Sequence, residues 1–519
     1  MALRSFLPFQ LLCTLSALHA TSAAAQHTTA FVDVSVVPMD RTTILEHQTV
    51  LVRNGRIVSV ADRGATALPE GTLVIRGQGK FLLPGLADMH VHFARDPDEL
   101  LLYVANGVTT VRELSGEPLY LSWRRDVTSG SRIGPRMIIS TPILDMPTGR
   151  RAMAWLAGGT IAVAVLLTAI VLALMRRRPA RRSRVQLALV SAAALATGYA
   201  TMRYIAPFPD AIMPHGAVSH WWIGTPDEAA ADVREAAGTY DLVKLYENLT
   251  PAEFHSAISA ARAAGLHTVA HVPFAETFDE TLHSGLDELA HAYFLVVELQ
   301  RRVDTTRFAS HAAREQALSA TLRNIAREVK ASNVAVTSTL MPMPEVLQRF
   351  TDTAAYWARP DHRYRTAAAR RSLRALTTKV PGAGVVADVA MHVRWGGEAA
   401  RELVRAGVPL VFGTDDAPFT SVAGFGAHEE LKLLRASGLS TYEVLQTATV
   451  NAAAVANASS RRGTIVAGND ADLLLLDGNP LLDLATIDRP AGVMAAGRWL
   501  PRPVLDSLLN AVAMRRRDP

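Results

Sequence analysis

Two histidines separated by one residue, His90 and His92, are the strongest sign of chemistry in this chain. Positions 82–92 read Leu-Leu-Pro-Gly-Leu-Ala-Asp-Met-His-Val-His, which predicts a buried strand that ends in both imidazoles. Residues i and i+2 of a strand face the same side, so the two side chains project together. Two neighbouring imidazoles at a strand end can hold one divalent metal ion.

Further side chains of the metal-binding kind follow other apolar, strand-like segments. They are Lys244 in Asp-Leu-Val-Lys-Leu-Tyr, His271 in Thr-Val-Ala-His-Val, His291 in Glu-Leu-Ala-His-Ala and Asp415 in Val-Phe-Gly-Thr-Asp-Asp-Ala. An isolated histidine on an apolar strand is usually a packed core residue. A lysine inside an apolar strand is unusual, because an unpaired charge is costly to bury. The repetition of the pattern at successive strand ends indicates a shared site.

Strands and helices alternate from residue 81 onward. The predicted strands cover 81–89, 108–113, 136–140, 242–246, 267–271, 288–291, 334–338 and 409–413, with helical patterns such as 251–264 and 398–406 between them. Such alternation predicts an α/β fold with a parallel sheet. Eight strands are consistent with a closed, TIM-like (β/α)8 barrel, whose active site lies at the carboxyl ends of the strands.

Both ends of the chain have β character. Residues 28–80 read as short strands, with a hairpin turn at Asn54-Gly55, and residues 461–503 return to strands and turns. We expect these segments to pair in one small β-sandwich, with barrel segments at 81–149 and 207–460. Residues 504–519, which include Arg515, Arg516 and Arg517, are predicted to be a solvated tail.

The third and fourth barrel strands lie too far apart for one crossover helix. Residues 150–206 fill the gap with two uncharged apolar runs, 152–175 and 185–202, on either side of an arginine-rich segment at 176–184. Each run is long enough for a bilayer core of roughly 30 Å. The pattern favours a transmembrane hairpin whose arginine loop stays cytoplasmic. A buried helical pair in a soluble protein is the alternative.

The first 25 residues are typical of an export signal. Arg4 precedes an apolar run at 6–18, and Ala23-Ala24-Ala25 offers a cleavage site before Gln26. An uncleaved membrane N-terminus is the alternative. Export would put the barrel on the outer side of the membrane, periplasmic or extracytoplasmic, and the hairpin would keep it there. Because the insert follows the third strand, the catalytic mouth would lie close to lipid, which suggests a membrane-associated or amphipathic substrate.

Composition excludes several classes of protein. Cys13 is the single cysteine, so neither an intramolecular disulfide nor a cysteine-based zinc site is possible. The formal net charge is +5, but it comes from the arginine-rich segment at 176–184, so we infer no nucleic-acid partner. The oligomeric state stays open.

The chain resembles the amidohydrolase superfamily, within it the imidazolonepropionase-like and prolidase-like branch. The resemblance covers about 30–145 and 210–500, and the insert departs from it. The motifs that carry it are Pro-Gly-Leu-Ala-Asp-Met-His-Val-His at 84–92, Gly-Val-Thr-Thr-Val-Arg at 107–112, Lys-Leu-Tyr at 244–246, the strands of His271 and His291, Gly-Thr-Asp at 413–415 and the Ala-Asp-Leu-Leu-Leu-Leu segment at 471–476.

This resemblance implies a site for two metal ions, expected to be zinc. His90, His92 and Asp415 would hold the first ion, and His271 and His291 the second. Lys244, carboxylated by CO2, would bridge them. A water between two cations loses a proton near neutral pH and becomes a hydroxide nucleophile. Asp415 would move the proton to the leaving amine. An unmodified Lys244 would leave a one-metal site possible.

The expected activity is metal-dependent hydrolysis of a C–N bond in an amide or peptide-like small molecule. The resemblance also permits lactones, esters and deamination, and a metal-bearing membrane receptor or scaffold without turnover is an alternative of a different class. Arg112 and Tyr246 could bind a substrate carboxylate or carbonyl, or form a rim salt bridge and packing. Asp88 could orient the strand-one histidines, and Asp416 is expected to be structural.

Overall fold

The computed structural model describes residues 28–146, 219–377, 382–416, 420–457 and 461–517. The predicted signal at 1–25 and the predicted hairpin at 150–206 lie outside these residues. Among the residues that are described, no helix is both long enough and apolar enough to cross a membrane.

The strands belong to the barrel or to a sheet built from the two ends of the chain. In chain order they are β1 (Thr28–Val36), β2 (Leu45–Arg53), β3 (Arg56–Asp62), β4 (Leu73–Arg76), β5 (Phe81–Pro84), β6 (Leu86–Val91), β7 (Val108–Glu113), β8 (Arg136–Ile139), β9 (Ile143–Asp145), β10 (His220–Trp222), β11 (Leu242–Leu245), β12 (His267–Ala270), β13 (Glu288–Leu289), β14 (Ala335–Thr337), β15 (Leu410–Val411), β16 (Leu473–Leu476), β17 (Gly492–Ala495) and β18 (Arg498–Pro501).

Helices follow most of the barrel strands. In chain order they are α1 (Asp98–Ala105), α2 (Pro118–Thr128), α3 (Pro226–Ala236), α4 (Pro251–Ala264), α5 (Phe278–His283), α6 (Tyr293–Arg302), α7 (His311–Ala331), α8 (Pro342–Thr351), α9 (Thr353–Ala358), α10 (Ala367–Thr377), α11 (Ala383–Ala406), α12 (Phe425–Ala436), α13 (Thr441–Gln446), α14 (Ala452–Val455) and α15 (Arg502–Arg515). The predicted helix at 251–264 is α4, where Thr250 and Glu253 form a capping box.

The barrel is closed, and its strands are parallel. β6, β7 and β8 pair in order, as do β11 to β15. A bridge between Ser140 and Leu242 joins the two groups on one side, and a bridge between Val91 and Asp416 joins them on the other. The predicted α/β fold with parallel strands is thus confirmed.

The first predicted strand, 81–89, is in fact two strands. Gly85 separates β5, which belongs to the terminal sheet, from β6, which belongs to the barrel. A Cβ at Gly85 would lie 2.0 Å from Thr109 Oγ1, so only glycine allows this close approach. The strand that carries His90 is therefore directly tied to the terminal sheet.

One sheet contains both ends of the chain. Its order is β18-β17-β16-β5-β1-β2-β3, with β4 paired to β1, and β5 is antiparallel to β16. The sequence predicted that these segments pair in a small sandwich. Hydrogen bonding joins them in one continuous sheet, in which Phe31 of β1 contacts Trp499 of β18, four strands away in the sheet order. Asn54 and Gly55 form the predicted turn, and both have positive φ, as a two-residue hairpin requires.

The sequence suggested a solvated tail at 504–519, but residues 502–515 form the helix α15, which packs on the rest of the protein. α15 buries Leu505 and Val512 against the body of the protein. Arg515 lies 2.7 Å from Asp98, and Arg516 pairs with Asp96. A short amphipathic helix at a chain end gives a weak sequence signal, because its apolar stripe is narrow and its arginines look solvated.

The four leucines of β16 pack on both faces of the terminal sheet. Leu474 and Leu476 join the core that the sheet shares with the barrel, while Leu473 and Leu475 join the core on the opposite face. We expect Leu474→Ala to lower the free energy of unfolding by about 2–5 kcal/mol, because it leaves a cavity between sheet and barrel. Urea denaturation measures the change.

Leu482→Ala is the matched control, because Leu482 is 85% exposed. It should change the free energy of unfolding by less than about 0.5 kcal/mol. Equal losses in the two variants would show that the sheet does not depend on its contact with the barrel.

Candidate metal centre

The structure brings together the six side chains that the sequence predicted as metal ligands. His90 lies in β6 and His92 just beyond it, Lys244 lies in β11, and His271, His291 and Asp415 follow β12, β13 and β15. The ring centroids of His90 and His291 are 4.5 Å apart, and those of His271 and His291 are 4.6 Å apart. All of these positions are at the carboxyl ends of barrel strands.

One group of ligand atoms consists of His90, His92 and Asp415. Asp415 Oδ1 lies 3.4 Å from His90 Nε2 and 3.3 Å from His92 Nε2. One ligand atom from each residue lies within 4.8 Å of the others. Two imidazole nitrogens and a carboxylate oxygen at this spacing can hold a divalent metal ion.

A second group consists of His271 and His291. Their Nε2 atoms are 2.9 Å apart, while Nδ1 of His271 lies 2.8 Å from Glu247 Oε1 and Nδ1 of His291 lies 2.9 Å from Thr339 Oγ1. A histidine that binds a metal usually donates its other ring N–H to an oxygen in this way. With both Nδ1 atoms donating, both Nε2 atoms present lone pairs to the same point, where a cation would stabilise them.

Lys244 is buried near both groups, since its charge acts on His90, His271 and His291. Its side chain is fully enclosed, and its Nζ has no hydrogen-bond partner among the described residues. Burial lowers the pKa of Lys244 to about 7, although the charge of Asp415 opposes this shift. A large fraction of the amine is therefore uncharged near neutral pH, which is unusual for lysine.

Burial also keeps three of the histidines neutral. It lowers the pKa of His90 and His271 well below the usual value and that of His291 to about 3. His92 differs, because its contacts with Asp415 and Glu113 outweigh burial and raise its pKa to about 9. Neutral imidazole is the form that binds metals, and carboxylates that attract a proton also attract a cation.

The backbone is strained where ligands leave the strands. His291 and Asp415 have φ of 70° and 55°, and Thr339, which contacts His291, has φ of 44°. Left-handed conformations are rare for residues other than glycine and are costly for a β-branched residue. These conformations lie just beyond β13, β14 and β15, where the chain leaves the barrel strands. The observed strands β13 and β15 are shorter than the predicted strands at 288–291 and 409–413.

Asp88 joins the first barrel strand to the eighth. Its carboxylate accepts hydrogen bonds from Thr414 Oγ1 at 2.6 Å, from the Thr414 amide at 3.0 Å and from the His90 amide at 3.3 Å. It therefore positions the backbone of His90 rather than the imidazole ring. Asp416 is buried and accepts a hydrogen bond from the Gly424 amide at 3.2 Å, in agreement with a structural role.

Arg112 lies inside the barrel, whereas the sequence had placed it at the mouth as a possible substrate-binding residue. Its guanidinium is 1% exposed, donates to Glu288 Oε2 at 2.8 Å and to the Met89 carbonyl at 2.7 Å, and pairs with the second oxygen of Glu288. These contacts use the guanidinium inside the barrel. Alternate residues of β7 face the barrel interior, and Arg112 is one of them. The sequence pattern alone could not tell whether its side chain lies inside the barrel or at the mouth.

Tyr246 lies at the mouth of the barrel. Its ring centroid is 4.3 Å from that of His271, and its side chain is half-buried. A role in binding substrate stays a prediction for this residue.

Sequence reasoning missed the residues that hold the histidines in place. Glu247 contacts His271, and Thr339 contacts His291. Ser115 Oγ lies 3.3 Å from His92 Nδ1, although Ser115 belongs to none of the motifs above. Glu113 Oε1 in turn accepts from Ser115 Oγ at 2.6 Å. Glu113 ends a predicted strand and Glu247 directly follows another, and these positions could have revealed them. Nothing in the sequence distinguishes Thr339.

Comparison with known proteins identifies the family. The profile described as the amidohydrolase family matches residues 81–500, most of the chain. The chain belongs to the amidohydrolase family. As a member of this family, the protein is a metal-dependent amidohydrolase, which hydrolyses carbon–nitrogen bonds. No curated protein sequence gives a significant match.

Solved structures share the fold of this amidohydrolase. Bottromycin amidohydrolase has a TM-score of 0.66 at 21% identity, with 95% of this chain and 90% of that chain covered. A protein from Bifidobacterium longum, described provisionally as a prolidase, has 0.60 at 21%, with 94% and 99% covered. A Xaa-Pro dipeptidase with methionine bound in its active site has 0.60 at 17%, with 91% and 100% covered.

If Arg112 is a structural residue, Arg112→Met should lower the free energy of unfolding by about 3–5 kcal/mol, because Glu288 would be left as an unpaired buried charge. Arg112→Met/Glu288→Gln should lose less, since no buried charge remains. Urea denaturation of both variants measures this. Unchanged stability with a raised KM alone would instead restore the substrate-binding role.

Proposed function

We propose that this amidohydrolase cleaves an amide or peptide-like C–N bond with the help of two zinc ions held at the barrel mouth. The observation that carries the proposal is the convergence of four imidazoles and the Asp415 carboxylate in the region where Lys244 is buried. Nitrogen-rich ligand sets with a carboxylate suit zinc better than magnesium or calcium.

The donor set fits two ions. His90, His92 and Asp415 would hold one, and His271 and His291 would hold the other. Three of the four histidines have the oxygen contact on the far ring nitrogen that is usual for metal-binding histidines, through Ser115 for His92, Glu247 for His271 and Thr339 for His291. Nδ1 of His90 has no hydrogen-bond partner among the described residues.

Lys244 would join the two groups as a carbamate. The uncharged amine adds to the carbon of CO2, a new N–C bond forms, and a proton is released. The product would be a carbamate anion, whose two oxygens could each contact a cation. A buried, unpaired lysine charge is costly, and the carbamate would remove it. Without this modification the site would hold one ion.

When bound, the metal pair would supply a water of lowered pKa and polarise the substrate carbonyl. Asp415 would accept the proton from the attacking water and donate it to the leaving amine nitrogen. Asp415 can reach the substrate because its side chain is 26% exposed, whereas Glu113 and Glu288 are fully buried. Tyr246, at the rim, would contact the substrate carbonyl or carboxylate.

The substrate would be a small molecule or a peptide-like compound. The similar structures include bottromycin amidohydrolase and a Xaa-Pro dipeptidase, whose names describe amide and peptide hydrolysis. This supports an amide or peptide bond for this chain, with Xaa-Pro dipeptides and N-acyl amino acids as first candidates.

The enzyme would be anchored to the membrane with its mouth close to lipid. β9 runs parallel to β11, and the chain leaves it toward the mouth before the predicted hairpin at 150–206. The predicted signal at 1–25 would place the barrel on the periplasmic or extracytoplasmic side, with the arginine loop at 176–184 in the cytoplasm. An amphipathic substrate could then enter from the lipid surface.

We expect about two zinc ions per chain by elemental analysis, and loss of at least 100-fold in kcat for His90→Ala and Asp415→Asn with a Xaa-Pro or N-acyl amino acid substrate. Removal of metal with a chelator should abolish activity, and zinc should restore it. His283→Ala is the matched control, because His283 is 65% exposed and contacts Asp279 in α5 rather than any of the six predicted ligands.

Lys244→Arg distinguishes two ions from one, because a guanidinium does not form the carbamate. The zinc content should fall to about one per chain or less. Full activity of His90→Ala or Asp415→Asn would refute the proposed mechanism, and metal without turnover on any C–N or C–O substrate would favour a receptor or scaffold.

The full chain should stay with membranes after washing with high salt and with carbonate, because the two uncharged runs would span the bilayer. Deletion of residues 150–206 should release it. The measurement is the distribution of the protein between pellet and supernatant. Release of the full chain by salt alone would show that the insert does not anchor it.

A further inference from the structure

A groove lined by arginines lies apart from the metal centre. It is formed by the segment 357–374, which follows β14, and by the end of α15, and it encloses about 990 Å³. Its lining contains Trp357, Arg359, Pro360, His362, Arg363, Arg370, Arg374, Asn510, Ala513, Met514, Arg516 and Arg517. We call it the arginine groove. None of the six predicted metal ligands lines it.

Two of these arginines are neutralised by carboxylates. Arg359 lies 3.2 Å from Glu345 and 3.0 Å from Asp361, and Arg516 pairs with Asp96. These pairs hold the walls of the groove together. They also fix the end of α15 to the segment that follows the histidines of the first barrel strand.

Three other arginines carry positive charge without such compensation. Arg363, Arg374 and Arg517 are exposed, and none of the ion pairs among the described residues involves them. Arg374 lies over the ring of Trp357, with its guanidinium carbon 4.6 Å from the centroid, so its position is fixed. Like charges that face one concave surface raise its potential and attract anions.

A buried histidine in the groove wall also lacks a partner. His362 is 6% exposed, and neither of its ring nitrogens has a hydrogen-bond partner among the described residues. Its ring packs against Tyr356 and Trp357. A buried polar group without a partner is costly in a folded protein, and a ligand that accepts its N–H would remove that cost.

We propose that the arginine groove binds a phosphate-bearing anion, with the phosphate against Arg363, Arg374 and Arg517. The planar guanidinium presents a fork of donors that matches phosphate oxygens, and several uncompensated arginines favour a multiply charged group over a single carboxylate. Trp357, Ala513 and Met514 add apolar surface. This surface suits a phosphate ester with an apolar part.

The position of the groove favours the headgroup of an anionic phospholipid as the source of the phosphate. The segment 357–374 follows the carboxyl end of β14, so it belongs to the same side of the barrel as the mouth. Arg365, in this segment, donates to the carbonyls of Thr420 and Ser421, which follow Asp415 in the chain. A soluble phosphate is the other source of the same chemistry.

The test is calorimetric titration of the full metal-loaded chain in uncharged detergent. The probes are short-chain phosphatidylglycerol, short-chain phosphatidylcholine, which has no net charge, and inorganic phosphate. The groove variant is Arg363→Gln/Arg374→Gln. The control variant, Arg323→Gln/Arg371→Gln, removes the same charge from exposed arginines that do not line the groove. Phosphate bound by the zinc ions would persist in both variants.

Phosphatidylglycerol should bind at least tenfold more weakly to the groove variant than to the control variant, and phosphatidylcholine should not bind. The same loss for inorganic phosphate alone would support the site and identify a free phosphate as its ligand. Equal affinity of both variants for all probes would overturn the proposal. The thermal midpoints of the two variants should be close, because the groove variant loses only the contacts of Arg363 with Tyr364 and of Arg374 with Trp357. None of the four substituted arginines forms an ion pair among the described residues.

Discussion

Closure of the barrel between its first and eighth strands is the constraint on which the site depends. Asp88 and Thr414 are 326 residues apart, yet the Asp88 carboxylate binds both the amide and the hydroxyl of Thr414. Beside this contact, the Asp415 amide donates to the His90 carbonyl at 2.7 Å, and the His92 amide donates to the Asp416 carbonyl at 2.7 Å. The same hydrogen bonds that close the barrel therefore place two imidazoles beside the Asp415 carboxylate.

Closure of the barrel also buries a cluster of groups that can bind cations. Four imidazoles and one lysine share the barrel end with a single ligand carboxylate, Asp415. Burial is the largest influence on the pKa of Lys244, and it favours the neutral amine. The Nε2 atoms of His271 and His291 lie 2.9 Å apart, so two lone pairs face each other when both Nδ1 atoms carry the protons. A divalent cation would stabilise this arrangement, in keeping with the metal dependence of the family.

Below this cluster, the barrel interior is held by charge as well as by packing. Arg112 and Glu288 form a buried pair, and Glu288 also accepts from Thr337 and contacts His267. Such a network stabilises one arrangement of strands, since each group left alone would be a buried charge. The arginine groove follows the opposite principle. There, Arg363, Arg374 and Arg517 have no carboxylate partner among the described residues, which suits an external anion rather than the fold.

The sequence by itself determined most barrel strands, their order and the candidate ligand positions. Apolar runs that end in His90, His271, His291 and Asp415 were sufficient, because periodicity and residue type are local properties. Tertiary structure alone decided the rest. Gly85 divides a strand because Thr109 packs against it, Arg112 turns inward to Glu288, Thr339 supports His291, and α15 docks through Asp96 and Asp98. Each of these depends on a partner distant in the chain, and no local pattern encodes such a partner.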